Sequence, residues 1–177
     1  MRKDGKFMFN IGDLIVYGNC GVYTVAEYCK SPVDKNDTRT FYLLRPRYES
    51  PCNIIMTPAE NDRVVMRYLI SKDEAYSIID KIPYIPELVV EYERARRDRY
   101  KEALGSVSLE AYVQIIKAVH TRREAIKLNK KRLSETDAEY EKRAKFCLYS
   151  EFASVFDIPF DSVEAFINER IASEAKN

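Results

Sequence analysis

The sequence predicts an α+β protein, with a small antiparallel β-barrel over residues 7–62 followed by an all-α region of about five helices over residues 71–173. Three observations carry that expectation. Apolar runs of four or five residues, rich in β-branched and aromatic side chains, recur between turn residues up to Met56. Beyond residue 70 the apolar period changes to that of a helix. Two helix-start signals of the capping-box type, Ser71–Glu74 and Asp161–Glu164, lie in the second half.

In the first part, Leu14–Tyr17 and Val22–Val25 flank Gly18-Asn19-Cys20-Gly21, a strand–turn–strand pattern. Ser31 to Asp37 is a polar loop with turn chemistry. Phe41–Leu44 and Cys52–Met56 read as two further strands, and Pro58, which has no N–H for a ladder, ends the pairing. Four or five short strands in about 55 residues suit a strongly bent barrel. In the second part, Ala75, Ile78, Ile79 and Ile82 follow the Ser71 cap, and Pro83 and Pro86 close that helix. A second helix is expected from Glu87 to Leu104 with Gly105 as its stop. Ser106 or Ser108 caps a third, striped by Leu109, Tyr112, Val113, Ile116 and Val119. Ser134 caps a fourth running to about Phe156, and the last helix opens at Asp161–Glu164.

Composition narrows the function. There are 29 Lys+Arg and 28 Asp+Glu, four cysteines without a C-x-x-C pair, and a single histidine, His120. Structural zinc, which takes closely spaced Cys or His ligands, is not expected, and no cofactor is. The phosphate-binding glycine loops are absent and no acid–base constellation stands out, so a non-enzymatic protein without a small-molecule substrate is expected. No apolar run reaches membrane-span length and no export signal opens the chain, which implies a cytoplasmic protein with reduced thiols.

The neutral total hides an uneven distribution. Residues 91–145 carry 15 basic against 10 acidic side chains, and residues 146–177 carry 2 against 6. A local basic patch attracts phosphate whatever the net charge. Arg94, Arg96, Arg97, Arg99 and Lys101 form the densest run, with 94, 97 and 101 sharing one helix face. A solvated face paired with Glu91, Glu93, Asp98 and Glu102 is the competing reading. Arg122, Arg123, Lys127, Lys130, Lys131 and Arg132 make a second cluster, and Tyr92, Tyr100, Tyr112, Tyr140 and Tyr149 suit a helical core better than base stacking. Ile54-Ile55-Met56 fits either an interior strand or a sheet edge open to a partner strand.

The stretch Phe9-Asn10-Ile11-Gly12-Asp13-Leu14-Ile15-Val16-Tyr17, continued by Gly21-Val22, resembles the F-x-x-G-D-x-V-V-Y-x-x-x-G-V signature of the CarD/CdnL family of bacterial transcription regulators. Thr57-Pro58-Ala59-Glu60-Asn61 is similar to the V-P-x-x-N stretch closing that family's first domain. Arg99-Tyr100-Lys101 followed by Leu104 is similar to its R-R-Y-K-x-N-x-x-K-L helix. The resemblance implies a Tudor-like domain that pairs a strand edge with the RNA polymerase β subunit. It implies also a helical domain that contacts promoter DNA at the upstream edge of the −10 element, in a protein acting as a monomer. Carried onto this chain, the polymerase-binding residues are Lys30, Ser31, Ile54, Ile55, Met56 and Thr57, and the DNA-binding residues are Arg96, Arg97, Arg99 and Lys101. Arg96 stands where the family typically has a Trp wedge, Met56 where it has a basic residue, and Asp98 where it has an arginine.

Overall fold

The computed structural model describes residues 9–31, 36–49, 53–90, 92–128 and 132–174. The chain divides into two units, residues 1–69 and 70–177. No helix among the described residues is long and apolar enough to cross a membrane.

The first unit is built on five antiparallel strands: β1 Leu14–Tyr17, β2 Val22–Cys29, β3 Phe41–Pro46, β4 Ile55–Pro58 and β5 Met66–Tyr68. Gly18 and Gly21, at φ of 51° and 87°, make the β1–β2 reversal, where the Tyr17 N–H donates to the Gly21 carbonyl at 3.1 Å. A side chain at Gly18 would also strike Val64, since its Cβ would lie 2.9 Å from Cγ1. The alternation of β2 sends Tyr23 and Val25 inward, where they pack with Phe9, Ile15, Tyr42 and Leu44. Phe9 is tied down at both backbone ends. Its N–H donates to the Tyr42 hydroxyl at 3.2 Å, and its carbonyl accepts from the Tyr28 hydroxyl at 3.0 Å.

The strand order is β4-β3-β2-β1-β5. The sheet therefore has two edges and is not closed, in contrast to the barrel the sequence suggests. Closure would need β4 to pair with β5. Those strands are only four and three residues long, and β4 stops at Pro58, which cannot extend a ladder. A register shift between Val25 and Glu27 bends β2 against β3, which supplies curvature without closure.

The second unit contains α1 Lys72–Lys81, α2 Arg96–Gly105, α3 Leu109–Leu128, α4 Glu135–Phe156 and α5 Val163–Glu174. The Ser71 capping box is complete: the Glu74 N–H donates to Ser71 Oγ at 3.2 Å, and the Ser71 N–H donates to the Glu74 carboxylate at 2.8 Å. Ser134 accepts from the Asp137 N–H, and Ser108, rather than Ser106, stands before α3. Asp161 falls within a 3₁₀ turn, Phe160–Ser162, so α5 starts at Val163.

The expected helix from Glu87 is shorter. Residues 85–90 carry no helix, Glu93–Ala95 forms a 3₁₀ turn, and α2 begins only at Arg96. The cause lies in what captures the backbone of this segment. The Leu88 N–H donates to the Gln114 carbonyl of α3, and Lys117 Nζ donates to the carbonyls of Pro83 and Ile85 at 3.1 and 2.6 Å. Between α2 and α3, Val107 adopts φ of 54° with its side chain buried.

Candidate protein-binding and nucleic-acid-binding surfaces

In the first unit the candidate surface is the β4 edge. Among the described residues β4 has one neighbour, β3, with Leu44 opposite Ile55, Leu43 opposite Met56, Tyr42 opposite Thr57 and Phe41 opposite Pro58. The Ala59 N–H donates to the Thr40 carbonyl at 2.9 Å, which sets the phase of the ladder. Thr57 and Ile55 thus exchange bonds with Tyr42 and Leu44, and the N–H and C=O of Met56 face the open side.

The side chains alternate accordingly. Thr57 is buried, its hydroxyl accepting from the Asn61 amide at 2.9 Å, and Ile55 packs on the sheet's core. Ile54 and Met56 are 54% and 38% exposed. Four of the residues assigned to polymerase binding thus form one edge strand and its lead-in, two of them facing inward and two exposed. Cys52, placed in the same strand by sequence, lies outside the described residues.

Lys30 and Ser31 follow β2. Cys29 is opposite Phe41, and Phe41 is opposite Pro58, so both residues sit at the Pro58 end of the sheet, two strands in from β4. At about 4.8 Å per strand this is roughly 10 Å from the edge. Lys30 Nζ donates to the Thr38 carbonyl at 3.1 Å, and Asp37 is held below the usual carboxylate range by hydrogen bonds from Arg39.

In the second unit the four assigned cations separate into three kinds. Arg96 is 7% exposed. It does not share the exposed surface of the other three, in contrast to its assignment with them to DNA binding. Its guanidinium donates to Asp137 at 2.8 Å and to Ser134 Oγ at 3.3 Å, and it pairs with Glu93. Arg99 is exposed but pairs with Glu102 at 2.8 Å. Arg97 and Lys101 are exposed and one helical turn apart, and among the described residues neither makes an ion pair.

The reason Arg96 turns inward is the phase of α2. Arg96, Tyr100 and Leu104 recur every four residues and are the buried positions of this helix. The Tyr100 hydroxyl donates to the other oxygen of Asp137 at 3.0 Å. Asp137 is 1% exposed and also accepts from Ser134 at 2.8 Å, with Arg122 Nε 3.4 Å away. Burial by itself would raise the Asp137 pKa. Hydrogen bonds from Ser134, Arg96 and Tyr100 outweigh it and hold the carboxyl below its ordinary value. The same burial, with the negative charge of Asp137, pushes the Tyr100 phenol well above its ordinary range.

The second basic cluster is largely paired. Arg122 donates to Glu93 at 2.6 Å, Arg123 forms a two-point pair with Glu141, and Lys127 meets Glu124 at 2.7 Å. Lys130 and Lys131 lie outside the described residues.

Two residues gain weight that sequence reasoning did not give them. Tyr92, read there as core, is 60% exposed, and the Arg94 guanidinium stands 5.6 Å from its ring centroid. Tyr100, Tyr112 and Tyr140 are buried as expected. Arg94 lies in the 3₁₀ turn that leads into α2 and Tyr92 stands just before it, and both are exposed, as are Arg97 and Lys101 on α2 itself. No cluster of His, Cys, Asp and Glu able to hold a metal occurs among the described residues.

In comparisons with known proteins, no family model and no curated protein matches the chain.

Proposed function

We propose that the protein is a transcription regulator similar to the CarD/CdnL family, whose first unit, a divergent and open form of the Tudor-like barrel, adds β4 to a strand of the RNA polymerase β subunit. The observation that carries this reading is the open edge: the Met56 backbone groups face outward and are flanked by exposed Ile54. A β-edge with free backbone groups and an apolar rim suits strand addition, in which main-chain bonds supply affinity and alternate side chains supply selectivity. The helical unit supplies the second contact. Arg94, Arg97 and Lys101, with Arg99 shared between Glu102 and solvent, meet backbone phosphates near the upstream edge of the −10 element, and Tyr92 offers a ring for stacking. Arg96 holds α2 in place from within. Tethering both contacts in one chain raises effective concentration, so each can be weak.

The phase of β4 provides the test. Proline at position 56 removes an N–H that faces the open side and leaves the bonds to β3 intact. Met56→Pro therefore abolishes capture of the purified polymerase β subunit while circular dichroism and the melting temperature of the first unit stay close to wild type. Retained capture by a folded Met56→Pro protein refutes strand addition.

The burial of Arg96 and the pairing of the second cluster favour one alternative, an adaptor that binds polymerase, or another partner, without DNA. It is distinguished by the salt dependence of promoter binding: an adaptor shows none beyond that of polymerase alone.

A further inference from the structure

The sheet of the first unit ends in two rims, β4 and β5, whose backbones are turned to different use. At β5 the Gly18 N–H donates to the Val65 carbonyl at 2.8 Å. Arg67, opposite Val16, stands two pairs farther along and bonds inward, so the N–H and C=O groups of Met66 and Tyr68 face outward. The Arg67 side chain folds back over that rim, where Nη1 donates to the Tyr68 carbonyl at 3.1 Å. One outward acceptor is thereby taken and a cation lies along the rim, a pattern that keeps other strands off. The β4 rim has no such guard in its own sequence. Ile54 to Pro58 contains no charged side chain, and Ile54 and Met56 are exposed. On the neighbouring strands of the same face, Arg45 and Glu27 stand 3.9 Å apart as a pair of opposite sign.

We propose that a second copy of this chain pairs with this edge, β4 antiparallel to β4 about a twofold axis at Met56, in contrast to the monomer that the family resemblance implies. The phase of the strand fixes the register. The Met56 N–H of each copy donates to the Met56 carbonyl of the other, which sets Ile54 opposite Pro58 of the second copy and Ile55 opposite its Thr57. Symmetry makes the lack of charge decisive. At a twofold axis a side chain meets its own copy, so a charge there would repel itself, whereas Met56 brings an uncharged and adaptable side chain. Head-to-tail pairing of β4 with β5 would run on without closing, and the Arg67 guard opposes it. Size sets the strength. Pro58 has no N–H to give, so the ladder is one short strand from each side, well below the roughly 1,200 Å² of a stable interface. The dimer is therefore weak, with a dissociation constant of about 0.1–1 mM. It rests on the open β4 edge and not on polymerase as the occupant of that edge. Since both use the same Met56 groups, self-pairing withholds the edge from polymerase when the chain is abundant.

The test is sedimentation equilibrium of the full chain from about 10 μM to 2 mM, a range that brackets the expected constant. The apparent mass of the wild type rises toward that of two chains across this range. Met56→Pro removes the donated N–H, and Met56→Lys sets two ammonium groups against each other. Each weakens the dimer by at least about tenfold, and Met56→Lys recovers part of the loss in about 1 M salt. Arg67→Thr leaves the dimer constant unchanged, and circular dichroism checks that each variant is folded. A wild type that stays a monomer throughout, or a dimer that both folded Met56 variants retain, overturns the proposal. Wild-type species larger than two chains, or loss of the dimer in folded Arg67→Thr, puts β5 in the contact and overturns the twofold arrangement. Loss of self-pairing with capture of the polymerase β subunit kept strikes this inference alone. Loss of capture with self-pairing kept strikes only the function proposed above.

Discussion

The sheet edge and the arginine run handle surplus polar groups in opposite ways. In β4 the backbone stays open on one side, while the side chain that could have been polar and exposed, Thr57, is buried and bonded to Asn61. In α2 the backbone is closed into the helix, and the side chains decide what is available. Two neighbours show the contrast most sharply: Arg96 is enclosed by Asp137, Ser134 and Glu93, and Arg97, one residue on, is exposed and makes no ion pair among the described residues. The lesson is that a count of cations overstates an electrostatic surface. Of the five cations between 94 and 101, one belongs to the interior and one is shared with a carboxylate.

The comparison can be broken most forcefully at Asp137. Asp137→Ala leaves the Arg96 guanidinium buried without its main partner, and urea denaturation is expected to show a loss of about 3–5 kcal/mol in the helical unit. Replacing both members, Arg96→Met with Asp137→Leu, costs less than the single change, which a double-mutant cycle reads directly. The pH dependence has a definite sign. The folded pKa of Asp137 lies below its unfolded value of about 3.9. Its contribution is therefore complete above that value and is lost as pH falls through the folded pKa. Urea midpoints of Asp137→Asn and wild type are expected to differ at pH 7 and to converge toward pH 2.

Smaller effects sharpen the sheet side. Thr57→Pro deletes an N–H that faces β3 together with the hydroxyl that binds Asn61, at an expected cost of about 1–3 kcal/mol to the first unit. Met56→Pro, one residue away, is expected to cost much less, and the pair measured by thermal melting tests the phase assigned to the ladder. Tyr100→Phe removes one hydrogen bond to Asp137, at about 1–2 kcal/mol.

The smallest effect on stability belongs to the surface cations. Arg97→Ala and Lys101→Ala are each expected to change stability by no more than about 0.5 kcal/mol. Each should nevertheless lower the salt slope of promoter-complex formation by about one, measured as log K against log salt. Arg96→Ala is expected to do the reverse, costing stability first.

Much of this organisation was legible in the chain. The Ser71 and Ser134 caps and the Gly18–Gly21 reversal rest on local chemistry, and the structure places them where the residues indicate, whereas Gly105, expected just past the end of its helix, is the last residue of α2 and the left-handed position falls at Val107. What depends on distant partners was not. Residues 85–90 avoid helix because α3 captures Leu88 and the Pro83 and Ile85 carbonyls. β5 has three residues, too few for an alternation to register, and it exists through its pairing with β1. Arg96 shows an intermediate case. Its acidic partner is 41 residues away, yet the four-residue spacing to Tyr100 and Leu104 was present in the sequence and marks the inward face of α2. Read as a face rather than as a run of charge, that segment would have put Arg96 inside.

Val107 has a consequence for how the cations are carried. A β-branched residue in left-handed backbone geometry costs about 1–2 kcal/mol, and burying a valine side chain returns about 1.5–3 kcal/mol. The corner joining α2 to α3 is thus a balance between a disfavoured torsion and one apolar plug. Glycine there would relax the torsion and remove the plug together, so the join behind the helix that carries Arg97 and Lys101 depends on a residue that carries no charge at all.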